Sequence, residues 1–177
     1  EGLELASMRR TFGMVFQMSA LFDSMTVFDN VAFPLREHTN LSRKEIRERV
    51  MEKLAALGVA AAEHKLPAQL SGGMQKRVAV ARAMILESEI LIYDEPTTGL
   101  DPITTEMVDD LIVEAEDMFG VTSIVISHDM ASVVRIADYL SFLHQGEIAA
   151  SGTRQALLES DHPATAEFVR ASRVSIE

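Results

Sequence analysis

The sequence predicts an α/β fold in which a mostly parallel sheet is flanked by helices. Three short apolar runs, rich in β-branched and aromatic residues, are typical of buried parallel strands: Phe12–Gln17, Ile90–Tyr93 and Thr122–Ser127. The intervals between these runs are longer and carry helical periodicity. A chain of 177 residues can bury one hydrophobic core, so we expect a single domain.

The interval after the first strand begins with a predicted helical subdomain. Thr26 is a suitable N-cap for a helix whose apolar face includes Val27, Val31 and Leu35. Pro34 lies within this helix and is expected to kink or shorten it, since proline removes a helical hydrogen bond.

A second helix of this subdomain is predicted from its capping residues. Ser42 and Glu45 have the spacing of a capping box, and Gly58 suits the C-terminal end. The apolar positions between them follow the helical period: Ile46, Val50, Leu54 and Leu57. The basic residues of this helix are interpreted as a solvated face.

A third helix is predicted to begin near Ser71 and to include Val78–Glu87. Ser71 is an N-cap residue, and the glycines at positions 72 and 73 leave backbone N–H groups without shielding side chains. Bare amides at a helix N-terminus, together with a hydroxyl, form an anion-binding site.

Two carboxylates, Asp94 and Glu95, follow the second strand directly. An unpaired carboxylate at the end of a buried strand is costly without a cation or a proton. Phosphoryl-transfer enzymes use this geometry for Mg²⁺ and for orienting water. His128 follows the third strand, and polar groups at matching strand ends predict a ligand crevice.

The next helix is predicted over Pro102–Phe119, ending at Gly120. Its methionines are interpreted as core packing. The residues expected to line its buried side are Ile103, Met107, Leu111, Ala115 and Met118.

The C-terminal part is predicted to be a mixture of short elements. A short helix over Met130–Ile136 is followed by a strand pair that turns at Gln145 and Gly146. The strands of this pair are Tyr139–His144 and Glu147–Ala149. Gly152 suggests a further turn, and the closing helices are placed at Ala156–Leu158 and Ala164–Val174.

These motifs, in this order and spacing, resemble the nucleotide-binding subunit of ATP-binding cassette (ABC) transporters. Leu70–Gln75 resembles the family signature motif, Ile90–Glu95 the Walker B strand and Thr98–Asp101 the D-loop. Gln17 and His128 fall where the family has its Q-loop and switch histidine. The resemblance implies a P-loop NTPase-like core formed by residues 1–17 and 89–177, with a helical signature subdomain over residues 18–88.

The resemblance also implies the role of each site residue. Asp94 and Gln17 would bind Mg²⁺, while Glu95 would act as general base on the attacking water. Gln17 and His128 would contact that water, and His128 also the γ-phosphate. Ser71, Gly72 and Gly73 would close on the ATP of a partner subunit in a head-to-tail homodimer, with Asp101 at the seam.

The sequence contains no Gly-x-x-x-x-Gly-Lys-Ser/Thr P-loop around any of its nine glycines. The resemblance places that motif before Gln17, so we expect a partial cassette without its N-terminal strands. A truncated cassette and a natural protein that has lost ATP binding are the two explanations, and the retained carboxylates favour the first. This chain alone is therefore expected to be inactive, although the intact protein would be an ATPase that uses ATP and Mg²⁺.

Composition narrows the expected partners. The formal net charge of −11 argues against nucleic acid and against anionic lipid as direct partners. No apolar run approaches the length of a transmembrane helix, no signal peptide is expected, and the chain has no cysteine. We therefore expect a cytoplasmic protein held at the inner face of the cell membrane by permease subunits.

The amino-acid sequence of Phe22–Thr39 resembles that of the Mla-type ATPases of lipid transport, which work with mammalian-cell-entry proteins. Phospholipid is accordingly the expected cargo. Two other functions remain open at this point. One is a soluble ABC-type ATPase of DNA repair or translation, and the other is a non-catalytic regulatory cassette.

Overall fold

The computed structural model describes residues 11–172. The chain divides into two compact units, Glu1–Ile126 and Ser127–Glu177. The residues predicted to form the tail of a helix or loop, 1–10, and the last part of the closing helix lie outside the described range.

The first unit is built on a three-stranded parallel sheet in the order β1–β2–β3. The strands are β1 (Phe12–Val15), β2 (Ile90–Asp94) and β3 (Thr122–Ile126). Tyr93 pairs with Val15 on one side and with Val125 on the other. The carboxyl ends of all three strands therefore meet at one edge of the sheet, as predicted.

In the described part of the first unit, four helices accompany this sheet. They are α1 (Val27–His38), α2 (Arg43–Ala56), α3 (Gly72–Met84) and α4 (Pro102–Phe119). Short 3₁₀ turns at Ala60–Ala62 and Pro67–Gln69 connect α2 to α3. The α/β architecture and the helical segment between β1 and β2 agree with the sequence prediction.

Helix α1 continues through Pro34, so the expected shortening is wrong. The hydroxyl of Thr26 accepts a hydrogen bond of 3.1 Å from the amide of Asp29, which caps the helix. Val31 and Leu35 on either side of the proline are completely buried. Their burial stabilises both halves of the helix by more than one missing hydrogen bond costs.

Helix α2 has the predicted capping box. Ser42 accepts from the amide of Glu45 at 3.3 Å, and the Glu45 carboxylate accepts from the amide of Ser42 at 2.8 Å. Its buried positions are also those predicted, Ile46, Val50 and Leu54, with Leu57 next to its end.

Helix α4 has the predicted bounds, and Gly120 ends it in the left-handed conformation at φ 64°. Its predicted buried side is partly wrong. Ile103, Met107 and Met118 are 68%, 60% and 45% exposed. The buried apolar stripe is instead Val108, Leu111, Ile112 and Ala115. Repeated steps of four residues drift around the helix by about 40° each, whereas positions i, i+3, i+4 and i+7 stay on one face.

The second unit contains a helix, an antiparallel strand pair and two further helices. These are α5 (Met130–Ile136), β4 (Leu140–His144), β5 (Glu147–Gly152), α6 (Arg154–Leu158) and α7 (Pro163–Ser172). Gln145 and Gly146 form the turn, as predicted, both with positive φ. Gly152 is the last residue of β5, where a turn had been expected.

The core of the second unit is a cluster of four buried side chains, Met130, Val134, Leu140 and Leu157. Within the described residues, no helix in either unit has the length and hydropathy needed to cross a bilayer.

Candidate functional site

The two carboxylates predicted from the sequence lie where β2 ends. Asp94 is the last residue of the strand and is half-buried. Glu95 follows with φ 47°, and its amide donates a 2.8 Å hydrogen bond to the carbonyl of Ile126 in the neighbouring strand. The backbone of Glu95 is thus tied to β3 while the chain turns out of the sheet.

The side chain of Glu95 is held by Thr98, which sequence reasoning had not given a catalytic role. The Thr98 hydroxyl donates a hydrogen bond of 2.6 Å to Oε2 of Glu95. A threonine three residues after a strand-end carboxylate is the available sequence signal, since the turn at Pro96 brings the chain back on itself.

The oxygen atoms at this edge fit a hard divalent cation. Mg²⁺ is usually held by one or two carboxylates together with waters and substrate phosphates. Within the described range, no cluster of three or more His, Cys, Asp or Glu residues able to hold a metal occurs. The buried hydroxyl of Thr97, two residues after Glu95 in the sequence, has no hydrogen-bond partner in that range.

Gln17 lies just beyond β1, at the same edge of the sheet. The predicted strand extended to Gln17, but β1 ends at Val15 and Gln17 is an exposed residue of a turn. The turn is closed by a 2.9 Å hydrogen bond from the amide of Ser19 to the carbonyl of Phe16. Because Val15 pairs with Tyr93, the structure brings Gln17 and the carboxylates to adjacent strand ends.

The turn that contains Gln17 is held by two cations of helix α3. Lys76 is only 8% exposed, and its ammonium donates to the carbonyl of Gln17. Arg82 donates to the carbonyls of Ser19 and Ala20 at 3.0 and 2.8 Å. Burial lowers the pKa of both basic groups, because it removes water from the charged forms. The hydrogen bonds to carbonyl oxygens compensate for that lost hydration.

The predicted anion site is the N-terminus of helix α3, which begins at Gly72 directly after the predicted cap. The helix ends at Met84, so its predicted extension to Glu87 is wrong. Ser71 caps the helix by accepting from the amide of Met74 at 3.3 Å. A methyl group built on Gly72 or Gly73 would meet no atom within 4 Å. A ligand could therefore approach these amides closely.

Asp101 has a structural role in the described chain. It caps helix α4, accepting from the amides of Ile103 and Thr104 at 3.1 Å each. The Thr104 hydroxyl also donates to its carboxylate, and these hydrogen bonds, that of Thr104 first, lower the pKa of Asp101.

His128 belongs to the second unit, so the grouping described above concerns Gln17, Asp94 and Glu95 alone. His128 is exposed and directly precedes Asp129. Asp129 caps helix α5 by accepting from the amides of Ala131 and Ser132.

Comparison with known families gives a match to the ABC transporter family model over residues 2–98. That range is more than half of the chain. It includes β1, helices α1 to α3 and the two carboxylates at the end of β2.

Two relatives are similar to this protein over nearly the whole chain. The intermembrane phospholipid transport ATP-binding protein MlaF of Escherichia coli K12 is 44% identical over 165 residues, which cover 93% of this chain and 61% of MlaF. The relative named "Probable ribonucleotide transport ATP-binding protein mkl", from Mycobacterium tuberculosis H37Rv, is 40% identical over 171 residues, covering 97% of this chain and 48% of Mkl. The chain thus spans about half to two thirds of the length of the relatives it matches.

A solved structure with the same fold is the dimeric, post-hydrolysis state of the ATP-binding cassette MJ0796 with ADP and phosphate bound. It aligns with a TM-score of 0.69 and 32% identity, covering 87% of this chain and 68% of the other.

Proposed function

We propose that this chain, which belongs to the ABC transporter family, forms part of a subunit that hydrolyses Mg-ATP to drive transport. The observation that carries the proposal is the placement of Gln17, Asp94 and Glu95 at adjacent strand ends. That edge of a parallel sheet is where ligands of open α/β folds bind.

In the proposed reaction, Glu95 accepts a proton from the attacking water. The hydrogen bond from the Thr98 hydroxyl to Oε2 of Glu95 supports this role, because it helps to hold the carboxylate in place. Asp94 and the Gln17 amide oxygen would hold Mg²⁺, which neutralises negative charge on the phosphates when bound. His128 contacts the γ-phosphate and helps to orient the water.

The anion site at Ser71, Gly72 and Gly73 is proposed to bind the ATP of a second copy of the protein. The open space around both glycines supports close approach of phosphate oxygens. Asp101 would lie at the seam of this head-to-tail dimer. The dimeric state of the related cassette MJ0796 supports the arrangement.

The protein is proposed to act on the cytoplasmic face of the membrane, bound to separate permease subunits. Phospholipid is the proposed cargo, supported by the likeness to MlaF. The name of Mkl refers to ribonucleotides instead, so the cargo is the part of the proposal that needs its own test. The acidic net charge of −11 favours protein partners over nucleic acid.

The chain by itself is proposed to bind Mg-ATP weakly, because it carries no P-loop sequence. The test compares this chain with the protein encoded by its complete reading frame. An in-frame P-loop upstream, with ATPase activity and co-purifying membrane permease, would support the proposal. Micromolar affinity of the 177-residue chain for ATP in calorimetry would contradict weak binding, and a complete protein without ATPase activity would contradict the function.

A further inference from the structure

The turn after β1 has a backbone conformation that its sequence does not favour. Ser19 and Ala20 have φ angles of 61° and 44°, in the left-handed region that residues with a Cβ rarely adopt. Neither residue is glycine, asparagine or aspartate, so local preference does not explain the turn. Such a conformation persists when surrounding contacts determine it.

The contacts that determine the turn come from helix α3. Three backbone carbonyls of the turn accept hydrogen bonds from this helix. Lys76 donates to the carbonyl of Gln17, and Arg82 donates to those of Ser19 and Ala20. Within the described residues, Lys76 has no other hydrogen-bond partner and no carboxylate within 4 Å. Lys76 is almost fully buried, and its described hydrogen bond goes to the Gln17 carbonyl. Holding that carbonyl is therefore the role that its contacts indicate.

The helix that supplies these cations also supplies the anion site. Ser71 caps α3, and Lys76 lies five residues further along the chain, which is about 7.5 Å along the helix axis at about 1.5 Å per residue. A shift of the helix would therefore displace the Gln17 carbonyl with it. Arg82 extends the attachment by placing its guanidinium over the Phe22 ring at 5.7 Å.

We infer that Lys76 and Arg82 are positioning residues that fix the Gln17 side chain relative to the N-terminus of helix α3. Neither residue touches nucleotide in this account. They act through the backbone of the turn, so that contact of Ser71 with a ligand and the placement of Gln17 depend on one another. The catalytic consequence rests on the proposed function, whereas the effect on the turn does not.

The first test measures hydrogen exchange of the Ser19 amide by NMR in this chain, because that amide closes the turn. Lys76→Met should raise its exchange rate at least about tenfold, while Lys76→Arg should preserve the slow rate. Arg77→Gln is the matched control, since Arg77 lies on the same helix but pairs with Glu114. Equal rates in wild type and a folded Lys76→Met variant would overturn the inference. Arg82→Gln gives the same test if Lys76→Met does not fold.

The second test measures ATP hydrolysis by the complete protein. Lys76→Met should lower kcat on the order of 10-fold or more with little change in KM for ATP, and Lys76→Arg should restore it. Arg77→Gln should behave as wild type. An active wild type with an equally active Lys76→Met variant would contradict the inference. A wild type without ATPase activity would instead contradict the proposed function and leave the Ser19 exchange result to decide the positioning of the turn.

Discussion

The hydroxyl of Thr98 donates a hydrogen bond of 2.6 Å to Oε2 of Glu95. The amide of Thr98 also lies 3.4 Å from the Glu95 carbonyl, so the two residues are joined through both side chain and backbone. Together with the 2.8 Å bond from the Glu95 amide to Ile126, these contacts fix the orientation of the carboxylate. A general base has to be held in place in this way if one of its oxygens is to meet the attacking water.

Replacing Thr98 by valine keeps the shape of the side chain and removes the hydroxyl. We expect ATP hydrolysis by the complete protein to fall on the order of 10-fold in kcat, because the carboxylate can then rotate away from the water. Binding of ATP should change little. Steady-state kinetics checks this, with Thr98→Ser as the control that retains the hydroxyl and the activity. Equal kcat values for the valine and serine variants would contradict the positioning role.

Gly13 is a position where β1 lies close against helix α3. A methyl group at this position would lie 2.6 Å from the carbonyl oxygen of Ala83 and 2.7 Å from a methyl carbon of Leu91. Gly13→Ala should therefore destabilise the chain by about 1–3 kcal/mol, as overpacking of a core does. The measurement is the midpoint of urea denaturation followed by circular dichroism.

Gly72→Ala is the matched control for that substitution. Nothing lies within 4 Å of the added methyl group, so stability should change by no more than about 0.5 kcal/mol. In the complete protein the same variant should hydrolyse ATP more slowly, because the methyl group would shield amides of the proposed anion site. If Gly13→Ala were as stable as Gly72→Ala, the close packing of β1 on α3 would be wrong.

Asp101 makes a pH-dependent contribution to stability through its cap of helix α4. Its hydrogen bonds, chiefly with Thr104, lower its pKa below the ordinary value of 3.8. The stabilisation is thus complete above that value and is lost as the pH falls through the lower pKa of the folded state. Asp101→Asn should be less stable than wild type by a constant amount between about pH 7 and pH 5, and the difference should shrink below about pH 4.

Chemical denaturation at several pH values measures this difference. Thr104→Val is the companion variant, because it removes the largest cause of the shift and should reduce the pH dependence of the wild-type cap. A difference between Asp101 and its asparagine variant that persists unchanged into acid would show that the charged cap is not responsible.

The sequence contained enough information for most of the fold. Runs such as Ile90–Tyr93 and caps such as Ser42 act locally, so residue type and spacing predict them. The bounds of helix α4 followed from Pro102 and Gly120 for the same reason. Its buried side did not, because the exposure of Met107 and Met118 depends on the elements that pack against the helix.

In the candidate site, the positions of the carboxylates at a strand end and of the helix N-terminus could be predicted from the sequence. The residues that hold the neighbouring turn in place could not. Lys76 contacts Gln17 across 59 positions of the chain, a relationship that no local pattern encodes. Arg82 similarly reaches Ser19 and Ala20 from a distant helix. Contacts of this kind depend on the tertiary packing of α3 against β1, and only the structure reveals them.

The central claim is that Glu95 activates the water that attacks ATP. The most direct test is single-turnover and steady-state ATP hydrolysis by the complete protein with Glu95→Gln, alongside a measurement of ATP binding. The account predicts that kcat falls by about 10²-fold or more while ATP is still bound, since glutamine keeps the size of the side chain but cannot accept the proton. Hydrolysis at a rate close to wild type by a variant that binds ATP normally would contradict it.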